Sequence, residues 1–212
     1  MKRFSQRGLS LLLALAAVIC LANPVWAAGS DDALEAALAD TAQYVCAAVP
    51  EPRVGSIGGE WAVLGLARSG YAVPEGYYQS YYDAVEAYVK ARNGILHDKK
   101  YTEYARVILA LTAIGRDARD VAGYDLTLPL GDYDKTVWQG INGPIWALIA
   151  LDSGDYPMPE NPAAETQATR QMYLDHILDR QRSDGGWSLA CRREARPFWW
   201  TVRRAAPGDP GG

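Results

Sequence analysis

The chain has few of the residues that build metal centres and disulfide frameworks. It contains three cysteines and two histidines among 212 residues. Cys20 lies in an apolar N-terminal stretch, which leaves Cys46 and Cys191 for at most one disulfide, so a disulfide-stapled scaffold is excluded. His97 and His176 belong to no recognisable zinc-ligand motif. We therefore predict no metal and no cofactor.

Several sequence signals of common enzyme classes are also missing. There is no serine-nucleophile motif and no glycine-rich phosphate-binding loop. The net charge is −4, and much of the positive charge lies at the two ends of the chain, so the body between them is strongly acidic. An acidic body argues against nucleic acid as a partner.

The two ends differ in composition from the body. Residues 1–28 combine a basic start, an apolar run over 9–21 and small residues at the end, which predicts a secretory signal and a secreted or cell-surface protein. The run is shorter than the roughly 20 residues of a membrane span, although a retained anchor is the alternative. Residues 190–212 mix arginine with proline and tryptophan. We expect a disordered basic tail, which could touch an anionic surface, or out-of-frame translation of a longer gene.

The body alternates between two kinds of helical pattern. Amphipathic patterns, with one polar face, cover 32–48, 77–92 and 166–182. Patterns that are apolar on nearly all sides cover 61–67, 104–114 and 145–151. We expect the apolar helices to form an inner set that the amphipathic helices shield. Residues 125–136 contain proline and glycine and predict a loop or a short turn of helix, and the prolines of 152–165 predict a connecting loop. We find no convincing strand.

Each apolar pattern is followed by a glycine, at Gly70, Gly115 and Gly154. A glycine just past a helix adopts the left-handed cap conformation at little cost. The spacing of these glycines is about 40 residues, which is typical of helical repeats.

The most specific motif is Gln181-Arg182-Ser183-Asp184-Gly185-Gly186-Trp187. A weaker relative, Gly58-Gly59-Glu60-Trp61, precedes an apolar helix upstream. Together with the alternating helices, these motifs resemble the Gln-Trp repeats of the α/α-toroid family of terpene cyclases and protein prenyltransferase β subunits. The motif residues, which we expect to be structural and to tie helix ends together, are Gln181, Asp184, Gly185, Gly186, Trp187, Gly58, Gly59 and Trp61.

The resemblance implies an all-α domain over 29–189, built as a toroid-like array of helical hairpins around an apolar cavity. The chain holds only roughly three to four helix pairs of the repeat, so the ring would be incomplete. Because its open end would leave apolar surface uncovered, we expect self-association. The segment would then be a fragment of a larger protein.

Few residues fit the chemistry of that family. Class II terpene cyclases protonate a double bond with an Asp-x-Asp-Asp motif, and the nearest match is Asp132-Tyr133-Asp134-Lys135. Asp134 is a weak catalytic candidate, because a neighbouring lysine favours the ionised carboxylate. A diphosphate site would need two acidic clusters, and only Asp31-Asp32 is present.

We therefore expect an exported, non-catalytic domain that binds a ligand or serves as a scaffold. The resemblance allows an apolar, isoprenoid or corrinoid ligand, and the alternative is a terpene cyclase or prenyltransferase-type enzyme acting on an isoprenoid. Tyrosines such as Tyr101 could also stack on sugars, although aromatic residues at helical spacing more often form core. The candidates for lining the cavity are Trp138, Gln139, Asn142, Trp146 and Tyr104.

Overall fold

The structure is a computed structural model, and it describes residues 25–55 and 58–188. Within these ranges the chain is all-helical, with seven α-helices, one 3₁₀ turn and no strand. Two isolated β-bridges join Val121 to Tyr124 and Asp132 to Gln167. The predicted all-α class is confirmed for this part of the chain. Cys20, Cys191 and the predicted basic tail lie outside the described residues.

The helices follow the predicted alternation. They are α1 (Val25–Ala48), α2 (Glu60–Ser69), α3 (Tyr77–Ala91), α4 (Thr102–Ala113), the 3₁₀ turn (Leu128–Gly131), α5 (Tyr133–Val137), α6 (Asn142–Ser153) and α7 (Arg170–Leu178). The predicted apolar helices are α2, α4 and α6, and the amphipathic ones are α1, α3 and α7.

The apolar helices pack next to each other. Helix α4 contacts α2 on one side and α6 on the other, while α1 packs on α2 and α7 on α6. In α4, every position from Tyr104 to Leu111 is buried except for Arg106. The central position of α4 agrees with the sequence, because a helix that is apolar on all sides needs cover on all sides.

Helices α2 and α6 are less completely covered than their sequences predict. Trp61 of α2 is 40% exposed and Ile149 of α6 is 44% exposed. Trp61 packs on Trp146 of α6, with ring centroids 5.2 Å apart. One face of each helix therefore meets solvent, because the described chain has no further helix to lay against it.

Two of the three predicted glycine caps are confirmed. Gly70 and Gly115 have φ of +73° and +74°, in the left-handed region. The prediction for Gly154 is wrong, since its φ is −129° and Asp155 takes the left-handed conformation instead, at +52°. Gly154 is needed for space: a Cβ there would lie 2.6 Å from Cε2 of Tyr156.

Two predicted helix boundaries also change. The pattern over 166–182 yields only Arg170–Leu178, because 166–168 is held by the bridge between Gln167 and Asp132 and Thr169 caps α7 by accepting from the Met172 amide at 3.2 Å. At the other end, α1 begins at Val25 and so includes the last four residues of the predicted signal. The hydrophobic pattern predicts where the helices are, but it does not predict the contacts at which they begin and end.

Candidate functional site

A cleft of about 540 Å³ opens beside the first turn of α4. Its walls come from the loop that precedes α4, the turn at 123–125, the 3₁₀ turn and α5. The volume lies within the range of small-molecule sites. The lining combines aromatic with ionisable or amide side chains, and the main members are Asn93, His97, Asp98, Tyr101, Tyr104, Tyr124, Asp125, Lys135 and Asn161.

The aromatic wall is held in place by packing and one hydrogen bond. Tyr101 and Tyr104 are 8% and 3% exposed, and their rings meet edge to face at a centroid distance of 5.3 Å. The Tyr104 hydroxyl accepts from the Leu96 amide at 3.0 Å, which joins the loop to α4. Burial raises the pKa of both phenols, so they remain neutral hydrogen-bonding groups.

Tyr124 forms a second aromatic wall of the cleft and depends on a glycine. Gly94 has a φ of +81°, and a Cβ there would lie 2.5 Å from Cδ1 of Tyr124. The ring therefore rests directly on the Gly94 backbone. The turn that carries Tyr124 is closed by two backbone hydrogen bonds with Val121, at 3.0 and 3.1 Å. Both walls are thus preformed.

A fixed lysine lies at one side of the cleft. Asp132 is 2% exposed, and its side chain accepts from the Lys135 amide at 3.1 Å, which caps α5. Its other oxygen lies 3.1 Å from Lys135 Nζ. The hydrogen bond that Lys135 Nζ donates to Asp132 raises the pKa of Lys135. The ammonium group is therefore oriented and stays charged at neutral pH.

The other polar groups are oriented by neighbouring backbone. Asp125 Oδ1 accepts from the Thr127 amide at 2.8 Å and from its hydroxyl at 2.6 Å. His97 Nδ1 accepts from the amides of Lys99 and Lys100 at 3.0 and 3.1 Å, which places the proton of a neutral ring on Nε2. A cleft with these groups can hold a ligand that has both apolar surface and hydrogen-bonding groups.

Of the predicted cavity residues, only Tyr104 lines this cleft. Trp138 is 61% exposed, and Asn142 is half-buried at the start of α6. Gln139 accepts from the amide and hydroxyl of Thr102, both at 3.1 Å, and so fixes the start of α4. Trp146 packs on Trp61.

The weak catalytic candidate occupies an open position. Asp134 is exposed in the first turn of the five-residue helix α5. Its neighbour Lys135 is paired with Asp132 and not with Asp134. Its side chain is open to solvent and does not line the cleft beside α4.

The Gly-Gly-Trp motif closes the end of α7. Trp187 Nε1 donates to the Ile177 carbonyl at 2.8 Å, and Gln181 Nε2 donates to the Gly185 carbonyl at 2.8 Å. The Gly186 amide donates to Asp184 Oδ1 at 2.9 Å, and Gly185 has a φ of +86°. All these contacts are within the turn or with α7.

The upstream relative of the motif contributes contacts of a different kind. Gly59 precedes the first residue of α2, and a Cβ on Gly58 would lie 3.0 Å from a methyl group of Val49. Glu60 is 1% exposed, and its Oε1 accepts from the Gly55 amide at 2.7 Å. The two motifs therefore hold helix ends by unlike geometry.

A second cleft, of about 520 Å³, lies between α5 and α7 and includes His176. His176 is 7% exposed, with Nδ1 3.1 Å from the Tyr133 hydroxyl, and its buried Nε2 has no hydrogen-bond partner among the described residues. Burial, with a smaller contribution from Arg180, lowers the pKa of His176 to about 4. The ring is therefore neutral near pH 7.

Sequence reasoning missed Tyr124 and the burial of the His176 ring. Tyr124 lies outside every described helix, where periodicity carries no information, and only the neighbouring Gly123 marks a turn. His176 lies on the outer helix α7, as expected, and Tyr133 from α5 covers its ring. Both positions depend on contacts between segments that are distant in sequence.

Two further properties follow from the described residues. In 25–55 and 58–188 no group of three or more His, Cys, Asp or Glu side chains is arranged to hold a metal ion. Over the same ranges, no helix is long and apolar enough to cross a membrane. Cys46 is buried on α1 and forms no disulfide within the described ranges, where it packs as a small apolar residue.

Comparisons with known proteins identify no relative. No protein-family model, no curated protein and no solved structure matches this chain.

Proposed function

We propose that this chain is an exported, non-catalytic helical domain that binds a small ligand in the cleft beside α4. The observation that carries the proposal is the cleft itself, with two buried tyrosines on one wall, Tyr124 on the other and an oriented ammonium group at the side. Preformed walls reduce the entropy cost of binding a ligand.

The lining favours a ligand of mixed polarity. Asp98, Asp125 and Lys135 would each lose hydration against a pure hydrocarbon, and burying such groups without partners is costly. A ligand that carries hydrogen-bonding groups on an apolar frame, as a corrinoid does, suits these residues better than an unsubstituted isoprenoid chain.

The toroid-like arrangement is part of the proposal. Helices α2, α4 and α6 lie side by side, and α1 and α7 pack outside them, which is the order expected for an arc of an α/α array. On this proposal the chain is a segment of the terpene cyclase and prenyltransferase-like repeat fold, exported to the cell surface. Its open end would associate with a second copy or with the rest of a larger protein.

Isothermal titration of the full chain against a panel of corrinoids and isoprenoids tests the proposal. We expect saturable binding to at least one member, weakened about tenfold in Tyr124→Leu, which removes the ring from the cleft. Tyr44→Leu is the matched control, because Tyr44 is 73% exposed on α1. An absence of binding throughout the panel contradicts the proposal.

The same samples separate binding from catalysis. Ligands recovered unchanged after incubation agree with a binding role. Turnover of an isoprenoid that is abolished in Asp134→Asn would show instead that the chain is an enzyme of the cyclase or prenyltransferase type. The exposed position of Asp134 beside Lys135 favours the first outcome.

A further inference from the structure

In the part of the chain that the structure describes, residues 31–41 of α1 have no packed neighbour. Helix α1 has 24 residues and a length of about 36 Å. Every side chain from 31 to 41 is exposed, whereas Ala42 and Cys46 near the other end are buried against the body. This exposed half of α1 would be only marginally stable as an isolated helix in water.

The exposed half continues the face that is already packed. At about 100° per residue, Asp31 and Glu35 lie on the same line of the helix surface as Ala42, and Leu34 and Leu38 lie beside them. Leu34 is 58% and Leu38 44% exposed. The uncovered surface is thus an apolar row next to an acidic row, which we call the α1 strip and define as Asp31, Leu34, Glu35 and Leu38.

Charge restricts what can cover the α1 strip. Residues 25–48 contain four acidic side chains and no lysine or arginine. Pairing this strip with the strip of a second copy would bring like charges together, which is unfavourable along helices. The complementary surface must be basic and must also carry large apolar groups.

We propose that residues 191–204 of the chain itself dock on the α1 strip. This segment, which lies outside the described residues, carries five arginines, at 192, 193, 196, 203 and 204, against the single acid Glu194, and it contains Phe198, Trp199 and Trp200. The aromatic side chains cover Leu34 and Leu38, and arginines pair with Asp31 and Glu35. The segment and the strip have opposite charge and share apolar content.

The chain is long enough for this contact. The described residues end at Ser188, and eleven further residues, to Trp199, span at most about 40 Å. From α7 to α1 there are four helix contacts of about 8–10 Å each, so the two ends of the array are at most about 40 Å apart across the helices. The segment reaches the α1 strip of its own chain only in an extended conformation. It can reach the α1 strip of a second copy in any conformation.

Disulfide trapping in the full chain tests the docking, with native Cys191 as the reporter. In a Cys46→Ala background, Leu38→Cys places a thiol on the α1 strip, and Ala36→Cys places one on the opposite face of the same exposed turn. We expect the bond to Cys191 to form at least about tenfold faster from position 38 than from position 36, because docking raises the effective concentration. Mass spectrometry identifies the bond, and a non-reducing gel separates links within one chain from links between two.

A pair of charge variants tests the chemistry of the contact. Asp31→Asn with Glu35→Gln removes two carboxylates from the α1 strip, and Asp32→Asn with Asp40→Asn removes two from other faces of the same helix. Trapping from position 38 should slow several-fold in the first variant and stay unchanged in the second. A 38–191 link with this response supports the proposal, whether it joins one chain or two. Equal trapping from positions 36 and 38, equal slowing by both charge variants, or a 38–38 link alone overturns it.

Discussion

At the scale of single residues, a glycine can mark a place where two segments of backbone come close together, and the residues next to it in sequence do not reveal this. Gly143 lies in the first turn of α6, and a Cβ there would be only 1.7 Å from the Thr136 carbonyl oxygen of α5. Gly65 also lies inside a helix, but nothing is within 4 Å of its Cβ position. The same residue type therefore has opposite consequences at the two sites.

We expect Gly143→Ala to lower the free energy of unfolding by about 2–4 kcal/mol, because α5 and α6 must separate to admit the methyl group. Gly65→Ala is the matched control and should raise stability by about 0.5–1 kcal/mol through its helix propensity. Urea unfolding monitored by circular dichroism measures both. Equal effects of the two substitutions would show that α5 does not lie against α6.

His176 gives the second prediction at this scale. Its pKa is about 4 in the folded protein, against 6.5 for an unperturbed histidine. Since the unfolded state binds the proton more readily, acid favours unfolding: stability falls as the pH drops below about 6.5 and the loss is complete below about 4. Between about pH 7 and pH 4.5 the loss amounts to about 2–3 kcal/mol.

Urea unfolding of wild type and His176→Asn at both pH values isolates this contribution. His176→Asn should lose less stability on acidification than wild type, by that amount. Carboxylates titrate in the same range, but their contribution is common to both proteins. An identical acid loss in His176→Asn would mean that the imidazole is accessible to protons in the folded state.

At the scale of elements, the end of α6 is attached to the turn after α4 by one phenol. The Tyr156 hydroxyl accepts from the Ala118 amide at 3.2 Å and lies 3.1 Å from the Thr112 hydroxyl. The ring lies against Gly154, which explains the absence of a side chain there. Two neighbouring helices are thus joined through a residue that lies in a predicted loop.

Tyr156→Phe should destabilise the protein by about 1–2 kcal/mol, because the Ala118 amide is buried and loses its acceptor. Tyr44→Phe, on the exposed surface of α1, is the control and should change stability by less than about 0.5 kcal/mol. Thermal denaturation followed by circular dichroism compares them. A loss no larger than that of the control would mean that the turn is held without this hydrogen bond.

At the scale of the whole molecule, α2 and α6 present an apolar face that no other described residue covers completely. Trp61 and Trp146 meet across the two helices, and Ile149 lies one turn from Trp146 on the same side. Surfaces of this kind usually mark contacts with other chains or domains.

We expect the full chain to form oligomers at micromolar concentration, and Trp61→Ser with Ile149→Ser to shift the population toward monomer. Leu174→Ser serves as the control, because Leu174 is 43% exposed on the outer helix α7. Sedimentation velocity distinguishes the three proteins. Monomeric wild type, or an equal shift in the control, would show that this face does not drive association.

The sequence by itself determined the helical class, the alternation of apolar and amphipathic helices and the positions of the glycines that end α2 and α4. These features depend on periodicity and on local backbone preference, which each segment carries within itself. The motif at 181–187 was likewise readable as a helix-ending turn, because its contacts are with the helix directly before it.

The tertiary structure decided which segments that are distant in sequence contact one another. It placed Tyr124 and Tyr104 in the same cleft, packed Trp146 on Trp61, covered His176 with Tyr133 and replaced the cap expected at Gly154 by a contact with Tyr156. None of these pairs shares a helix, so no periodic pattern could report them. These contacts form only when α4 is buried between α2 and α6. The same packing determines which surfaces remain available to a ligand.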